Sequence, residues 1–411
     1  MGARTKSRIV SRRFCGRRTL KPVKTIHSKS DLAFHGAPPA FDEPLHVGRP
    51  NIGSRDAFLK LVGDILDRRW LTNNGPLVQE LERKIAEYLG VQHCVAMCNG
   101  TLALEIAIRA LGLQGEVILP SYTFIATAHA LHWQGITPVF ADIDPVTHNL
   151  TADSVRKMLT PRTSGIIGVH LWGRPAPIDA LETLAKAHGL QLLFDAAHAF
   201  GCSYKGQRIG RFGRAEVLSF HATKFFNTFE GGAVVTNDGE LAEAMRLMRN
   251  FGFVHYDKVI HPGTNGKMTE VCAAMGLVNL EGLDAVIEAN RRNAQKYAQA
   301  LEGIPGVRLL SNEGETSNFQ YVVVEVDASC AVKRDTFVQA LHAENILARK
   351  YFWPGCHRMK PYQELFPHAG LMLPNTERVA DRVIVLPTGT ALPEGAIAVV
   401  GAVFRQLVRA T

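Results

Sequence analysis

The first 45 residues carry no hydrophobic periodicity and are interrupted by Pro22, Pro38, Pro39 and Pro44, which predicts a disordered and then extended segment. The pattern changes at Ser54. Phe58, Leu61, Val62, Ile65 and Leu66 recur at helical spacing up to Arg69, and after a loop at 70–76 a second amphipathic helix runs over 77–89 and stops at Gly90. Short apolar runs then alternate with helical ones. Strands are predicted at 94–98, 117–119, 138–140, 165–169, 190–194, 217–220 and 233–236, and helices at 102–111, 125–133, 177–188 and 240–248. Strands this apolar are buried on both faces, so the alternation predicts a mostly parallel sheet sandwiched by helices.

A long helical pattern follows over 268–301, with Gly276 and Gly282 as bends. Behind it come a β-rich run at 320–326, a helix at 333–343, short strands at 346–348 and 383–386, and a last helix at 393–408. The chain is thus expected to divide into a basic, disordered N-terminal extension (1–45), a large α/β domain (46–285) and a smaller C-terminal α+β domain (286–411).

Composition sharpens this picture in three places. No apolar run approaches the roughly 20 residues needed to cross a bilayer, so no membrane role is expected. The seven cysteines form no CxxC pair and no framework, which points to a reducing, cytoplasmic compartment. The net charge of +8 is local: residues 1–30 hold ten basic residues and no acidic one, which leaves the remainder at −2. That distribution argues against a nucleic-acid-binding body. Ser11-Arg12-Arg13 begins like a twin-arginine signal, but no apolar stretch follows it.

In open α/β sheets, ligands bind beyond the carboxyl ends of the strands. Five of the predicted strand ends carry unusual residues: Asn99-Gly100-Thr101, Ser121 to Phe124, His170 to Gly173, Asp195 to His198, and Ser219 to Lys224. Lys224 stands in an apolar and small-residue run. Desolvation favours its free amine, the form that attacks carbonyls, and a lysine snorkelling from a strand end is the alternative. Asn99-Gly100-Thr101 offers helix-start N–H groups to an anion, or is a plain N-cap. Asp195 is costly to bury unpaired, so it caps the next helix or faces a cationic ring nitrogen. Phe124 is a flat face for a ring or a core aromatic, while His170 and His198 either touch a ligand or start helices. No Cys, His or Asp grouping has metal-ligand spacing, so no metal is expected. A carboxylate for a pyridinium nitrogen, a Schiff-base lysine and a phosphate cradle together are what pyridoxal phosphate (PLP) requires.

The motifs Trp70-Leu71-Thr72-Asn73-Asn74-Gly75-Pro76, Asn99-Gly100-Thr101-Leu102-Ala103-Leu104, Pro120-Ser121-Tyr122-Thr123-Phe124-Ile125-Ala126-Thr127, Val169-His170-Leu171-Trp172-Gly173, Phe194-Asp195-Ala196-Ala197-His198-Ala199 and Ser219-Phe220-His221-Ala222-Thr223-Lys224 with Glu230-Gly231-Gly232 are highly specific in this order. Over residues 46–411 they resemble the DegT/DnrJ/EryC1/StrS sugar aminotransferases of PLP fold type I, the aspartate aminotransferase-like superfamily. The resemblance implies a large domain with a mostly parallel sheet plus a smaller C-terminal α+β domain. It implies Lys224 as the catalytic Schiff-base lysine and Asp195 as the partner of the pyridine nitrogen. Gly100, Thr101 and Ser219 become phosphate contacts, with Leu102 in the same cofactor-binding stretch. Phe124 becomes the stacking aromatic and His198 a residue against the ring. Asn265 matches an asparagine that reaches the phosphate of a neighbouring subunit, which implies a homodimer with shared sites.

Two departures stand out: Lys267 occupies a position where the family commonly has Arg, and Phe225 to Phe229 is more aromatic than usual and is expected to shape the sugar pocket. A sister branch replaces the lysine with histidine and dehydrates sugars, so Lys224 favours transamination. The resemblance implies glutamate as donor and a nucleotide-linked keto-deoxysugar as acceptor, dTDP-4-keto-6-deoxyglucose aminated at C4. Two alternatives stay open: a cyclitol or other non-nucleotide ketone, and a regulatory PLP-fold protein that uses the basic tail. Tyr351, Trp353 and His357 lie in a loop placed either to reach substrate or to serve in core and turn.

Overall fold

The computed structural model describes residues 24–311 and 316–409. Eight of the ten N-terminal basic residues, and the disorder expected around them, lie outside the described residues. A central sheet is built from β1 (His93–Met97), β2 (Glu116–Pro120), β3 (Thr137–Ala141), β4 (Thr163–Val169), β5 (Gln191–Asp195), β6 (Ala215–Ser219) and β7 (Gly232–Thr236). The order across the sheet is β1-β7-β6-β5-β4-β2-β3. Only β7 runs antiparallel, to both β1 and β6. Every predicted strand is present, each displaced by no more than two residues at either end.

Alternation along each strand sends side chains to two layers. On β1, Cys94 and Ala96 enter one core with Leu81 and Ile85 of the helix Pro76–Leu89. Val95 and Met97 enter the other, with Leu104 and Ile108 of the helix Gly100–Ala110. Both faces are therefore covered, as the continuous apolar character of the strands requires. The predicted long helix is two helices, Glu270–Glu281 and Leu283–Leu301, broken at Gly282. Gly276 does not bend its helix. It lets Leu81 and Thr228 approach, and an added Cβ would lie 2.9 Å from each.

The smaller domain holds an antiparallel sheet of β8 (Val307–Leu309), β9 (Val322–Val326) and β10 (Val383–Leu386), with β9 in the middle. Phe337 of the helix Arg334–Ala343 stacks on Phe404 of the helix Ala396–Val408 at 4.4 Å. Tyr297 and Leu301 belong to this core while Leu283 belongs to the large one, so the helix Leu283–Leu301 ties the two together.

The disorder expected up to residue 45 is corrected for residues 24–45. Ile26, Leu32, Phe41 and Leu45 are buried in the small-domain core, and Leu45–His46 pairs in parallel with Ile346–Leu347. This strap has no period because short turns and extended stretches carry its apolar residues inward at irregular intervals, which leaves no local signature. Its polar anchor is Glu344, which is fully buried. Its carboxylate accepts from the N–H of Ala33 at 2.6 Å, the N–H of Ala40 at 2.8 Å and the Lys24 ammonium at 3.0 Å.

Glu344→Ala strands these donors, at a cost of about 1–3 kcal/mol. The urea midpoint should fall accordingly, and proteases should gain cuts within residues 24–45. An unchanged midpoint with no new cuts would remove Glu344 from this role.

Candidate active site

The carboxyl ends of β1, β2, β4, β5 and β6 open onto one cavity of about 310 Å³. Gly100, Thr101, Phe124, Asp195, His198, Ser219 and Lys224 all line it. Two expected residues do not. The Leu102 side chain faces away, and its N–H is taken by Asn99 Oδ1 at 2.8 Å. Asn265 is exposed and pairs with Asn250, outside the cavity of its own chain.

Asn99 has extended backbone and caps the helix Gly100–Ala110. Capping and anion binding are thus compatible here. Asn99 satisfies the third N–H, while those of Gly100 and Thr101 have no carbonyl within the helix to bond. The pair Gly231-Gly232 brings β7 hard against this point, and a Cβ on Gly232 would lie 2.7 Å from the Gly100 nitrogen.

Asp195 closes β5, and β6 beside it in the sheet leads to Ser219 and then to Lys224. The Asp195 carboxylate accepts from the Thr127 hydroxyl at 2.8 Å and from the Ala197 N–H at 3.1 Å. Burial pushes its pKa up, while Thr127, Ala197 and the positive charge of Lys224 pull it back. Lys224 responds in the complementary sense. Desolvation lowers its pKa to about 8, against the upward pull of Asp195 and Tyr351. His198 is driven well below the usual histidine range by burial and by Lys224, so it is neutral. Its Nδ1 accepts from the Trp172 N–H at 3.3 Å, which puts its proton on Nε2.

Phe124 precedes the helix Ile125–His132 and is 56% exposed, with its ring at the cavity and 6.2 Å from that of Phe352. His170 is structural. Its Nδ1 accepts from the Ala176 N–H and its Nε2 pairs with the buried Glu216, while its ring stacks on Phe194. Of the loop residues, Tyr351 reaches the cavity, together with Phe352. Trp353 donates to Asp381, and His357 bonds Ser121 and Glu377.

The expectation that Phe225 to Phe229 shapes the pocket is corrected. Phe225 and Phe226 pack in the core against Phe200, and Phe229 meets Phe58 edge-on. Aromatic content close to Lys224 in sequence misled because the chain turns inward straight after the lysine. Conversely, sequence reasoning placed Thr127 in a motif without giving it a role, and passed over Tyr321. Thr127 lies one helical turn beyond Phe124, a spacing that does place both on one face. Tyr321 enters from the other domain with no local signal.

Stripped of carbonyl ligands by dialysis against hydroxylamine, the protein should label at Lys224 along a pH profile that inflects at about 8. Asp195→Asn removes the charge that holds this value up. The inflection should then move to lower pH, with more labelling at neutrality, as read by peptide mass spectrometry. An unmoved or upward-shifted profile would contradict the coupling.

The family model of the DegT/DnrJ/EryC1/StrS aminotransferases matches residues 54–405. The chain is 36% identical over 367 residues to the dTDP-4-amino-4,6-dideoxy-D-glucose transaminase of Shigella dysenteriae, covering 89% of this chain and 100% of that one. The enzyme of the same name from Escherichia coli is 36% identical over 357 residues, covering 86% and 96%. The crystal structure of DesI in the presence of its TDP-sugar product superposes with a TM-score of 0.88 at 51% identity, covering 92% of this chain and 96% of that one. The chain belongs to the DegT/DnrJ/EryC1/StrS aminotransferase family.

Proposed function

We propose that this aminotransferase uses PLP to move an amino group from glutamate to C4 of dTDP-4-keto-6-deoxyglucose, working as a homodimer in the cytoplasm. The observation that carries the reading is the placing of Lys224 and Asp195 in one cavity, in a chain 36% identical over 367 residues to a dTDP-4-amino-4,6-dideoxy-D-glucose transaminase.

The cavity residues fit the cofactor. Asp195 is a buried carboxylate whose hydrogen-bond partners, Thr127 and Ala197, are both neutral, so it suits a cationic ring nitrogen. A Cβ on Gly100 would come within 3.1 Å of the Ser219 Cβ, so glycine is what lets the helix start pack against Ser219 and brings its free N–H groups beside that hydroxyl. Phe124 presents a ring to the cavity, as a stacking partner requires.

When bound, PLP supplies a protonated pyridine ring that accepts electron density from the donor α-carbon. The remaining work falls to the chain. The N–H groups of Gly100 and Thr101 and the Ser219 hydroxyl would hold the phosphate. Thr127 and Ala197 fix the Asp195 carboxylate, which would favour a protonated ring nitrogen. Lys224 Nζ, with a pKa of about 8, is poised to take a proton from carbon near neutral pH and return it. His198 offers an Nε2–H without adding positive charge beside Lys224. Tyr321, Tyr351 and Phe352 line the cavity from the small-domain side.

The dimer reading is supported by the exposure of Asn265 beside exposed Phe251, Phe253, Val259 and Ile260, a face suited to a second copy. Among the described residues, no helix is long and apolar enough to cross a membrane.

Loaded with PLP and fed glutamate, the enzyme should aminate dTDP-4-keto-6-deoxyglucose in preference to scyllo-inosose or a keto sugar without a nucleotide, read by mass spectrometry of the products. Lys224→Ala should lose turnover, and Asp195→Asn should lose on the order of a hundredfold or more. Amination of the cyclitol alone would reassign the substrate. A folded wild type that fails to bind PLP would overturn the reading as a whole.

A further inference from the structure

The small domain places a hydroxyl on the Lys224 amine. Lys224 Nζ donates to Tyr321 Oη at 3.3 Å, and the same nitrogen lies 5.8 Å from the centre of the Tyr321 ring. Tyr321 stands immediately before β9, the central strand of the small sheet. Its ring is fixed on its other sides, 4.6 Å from the His198 ring and 5.5 Å edge-on from Trp172. The other ionisable groups of the cavity are Asp195 from the end of β5, His198 from the turn after it, Tyr351 from the small-domain loop, and His221 and Glu230, which pair with each other at 3.5 Å. Asp195 and Tyr351 act on Lys224 through charge, whereas Tyr321 makes the hydrogen bond.

Burial raises the pKa of Tyr321, so the phenol keeps its proton. A neutral phenol has one donor and two lone pairs. Toward an ammonium its oxygen accepts. Toward a free amine its O–H turns and donates to the nitrogen lone pair. The contact therefore survives a change of protonation at Nζ: the proton that leaves goes to the reacting partner, none is taken from the tyrosine, and no new charge is buried.

We propose that Tyr321 is a positioning residue for Lys224, holding the amine from the small-domain side and exchanging acceptor for donor as that amine loses and regains its proton. The inference rests on the aminotransferase reading only for the reason the amine must change state; the contact itself does not depend on the sugar.

Tyr321→Phe keeps the ring and removes the hydroxyl. The ammonium then loses an acceptor, so its charged form is disfavoured, and the pH profile of Lys224 labelling should inflect at lower pH than in the wild type. In the PLP-loaded enzyme, kcat should fall on the order of tenfold to a hundredfold, with KM for the keto sugar within about threefold. A hydroxyl that only filled space would move neither the inflection nor the kcat-to-KM split. If Tyr321→Phe loses its cooperative melt, 3-fluorotyrosine at position 321 replaces it. The fluorinated phenol is a poorer acceptor from ammonium and a better donor to the free amine, so the inflection should move the same way. An unmoved inflection in a folded variant, or kcat within twofold of wild type, overturns the proposal. The two readings fail separately. A shifted inflection without sugar amination would keep Tyr321 and discard the substrate, while sugar amination with an unmoved inflection would do the reverse.

Discussion

Drawing the amine of Lys224 partway out of water is the constraint to which the rest of the molecule answers. An ammonium withdrawn from water is disfavoured, and the direct consequence is its lowered pKa of about 8. What keeps it from falling further is first Asp195, itself a carboxylate under the opposite pressure. Each charge lowers the cost of the other, so neither residue can be understood alone. Their proximity is a property of the sheet. β5 and β6 are parallel neighbours, Asp195 is in register with Val217, and both chains emerge at the same edge. A parallel pair of strands delivers two loops to one place, which an antiparallel pair would send to opposite edges.

Much of this was legible from the residues. Strands covered on both faces have little choice but to be apolar, so each strand of the central sheet announced itself, and the residues at the strand ends stood out against that background. What stayed hidden depends on contacts distant in sequence. The strap at 24–45 carries its buried residues at irregular intervals, and the pocket-facing role given to Phe225 and Phe226 failed because composition does not say which way a turn goes. Thr127 was within reach, one turn past Phe124, but its hydroxyl gains meaning only once Asp195 is seen beside it. The break at Gly282 and the unbent Gly276 show the same limit. Both are glycines in a helical pattern, and only the neighbours of Gly276 explain why it is there.

Buried carboxylates alone would not have found the site, because several of them do structural work. Glu270 accepts from the N–H groups of Leu77 and Val78 and so caps a helix whose own N-cap, Gly75, offers no side chain. The half-buried Asp142 does the same for Thr376 and Asn375. Glu216 sits on β6, next to β5, and is as buried as Asp195, yet it is satisfied by the N–H groups of Gly210 and Phe212 and by His170. Asp195 differs in having an open cavity in front of it. The distinction lies in what remains unsatisfied, not in burial or residue type.

The second domain supplies the wall that the sheet cannot. Tyr321, Tyr351 and Phe352 all come from it, and they face Lys224 and Phe124 across the cavity. This division separates two demands. Asp195 and Ser219 stand at strand ends that are locked by the parallel sheet, whereas the shape of the cavity in front of them depends on a loop after Ile346–Leu347 and on the lead into β9. The N-terminal strap is joined to the same wall. The Leu45 N–H bonds the Asn345 carbonyl, Leu45–His46 pairs with Ile346–Leu347, and Tyr351 follows shortly after. Glu344, which anchors the strap, immediately precedes this run. A segment far from Lys224 in sequence is thus mechanically continuous with the surface that limits what can reach the amine, and loosening the strap would be felt first at Tyr351 and Phe352 rather than at Asp195.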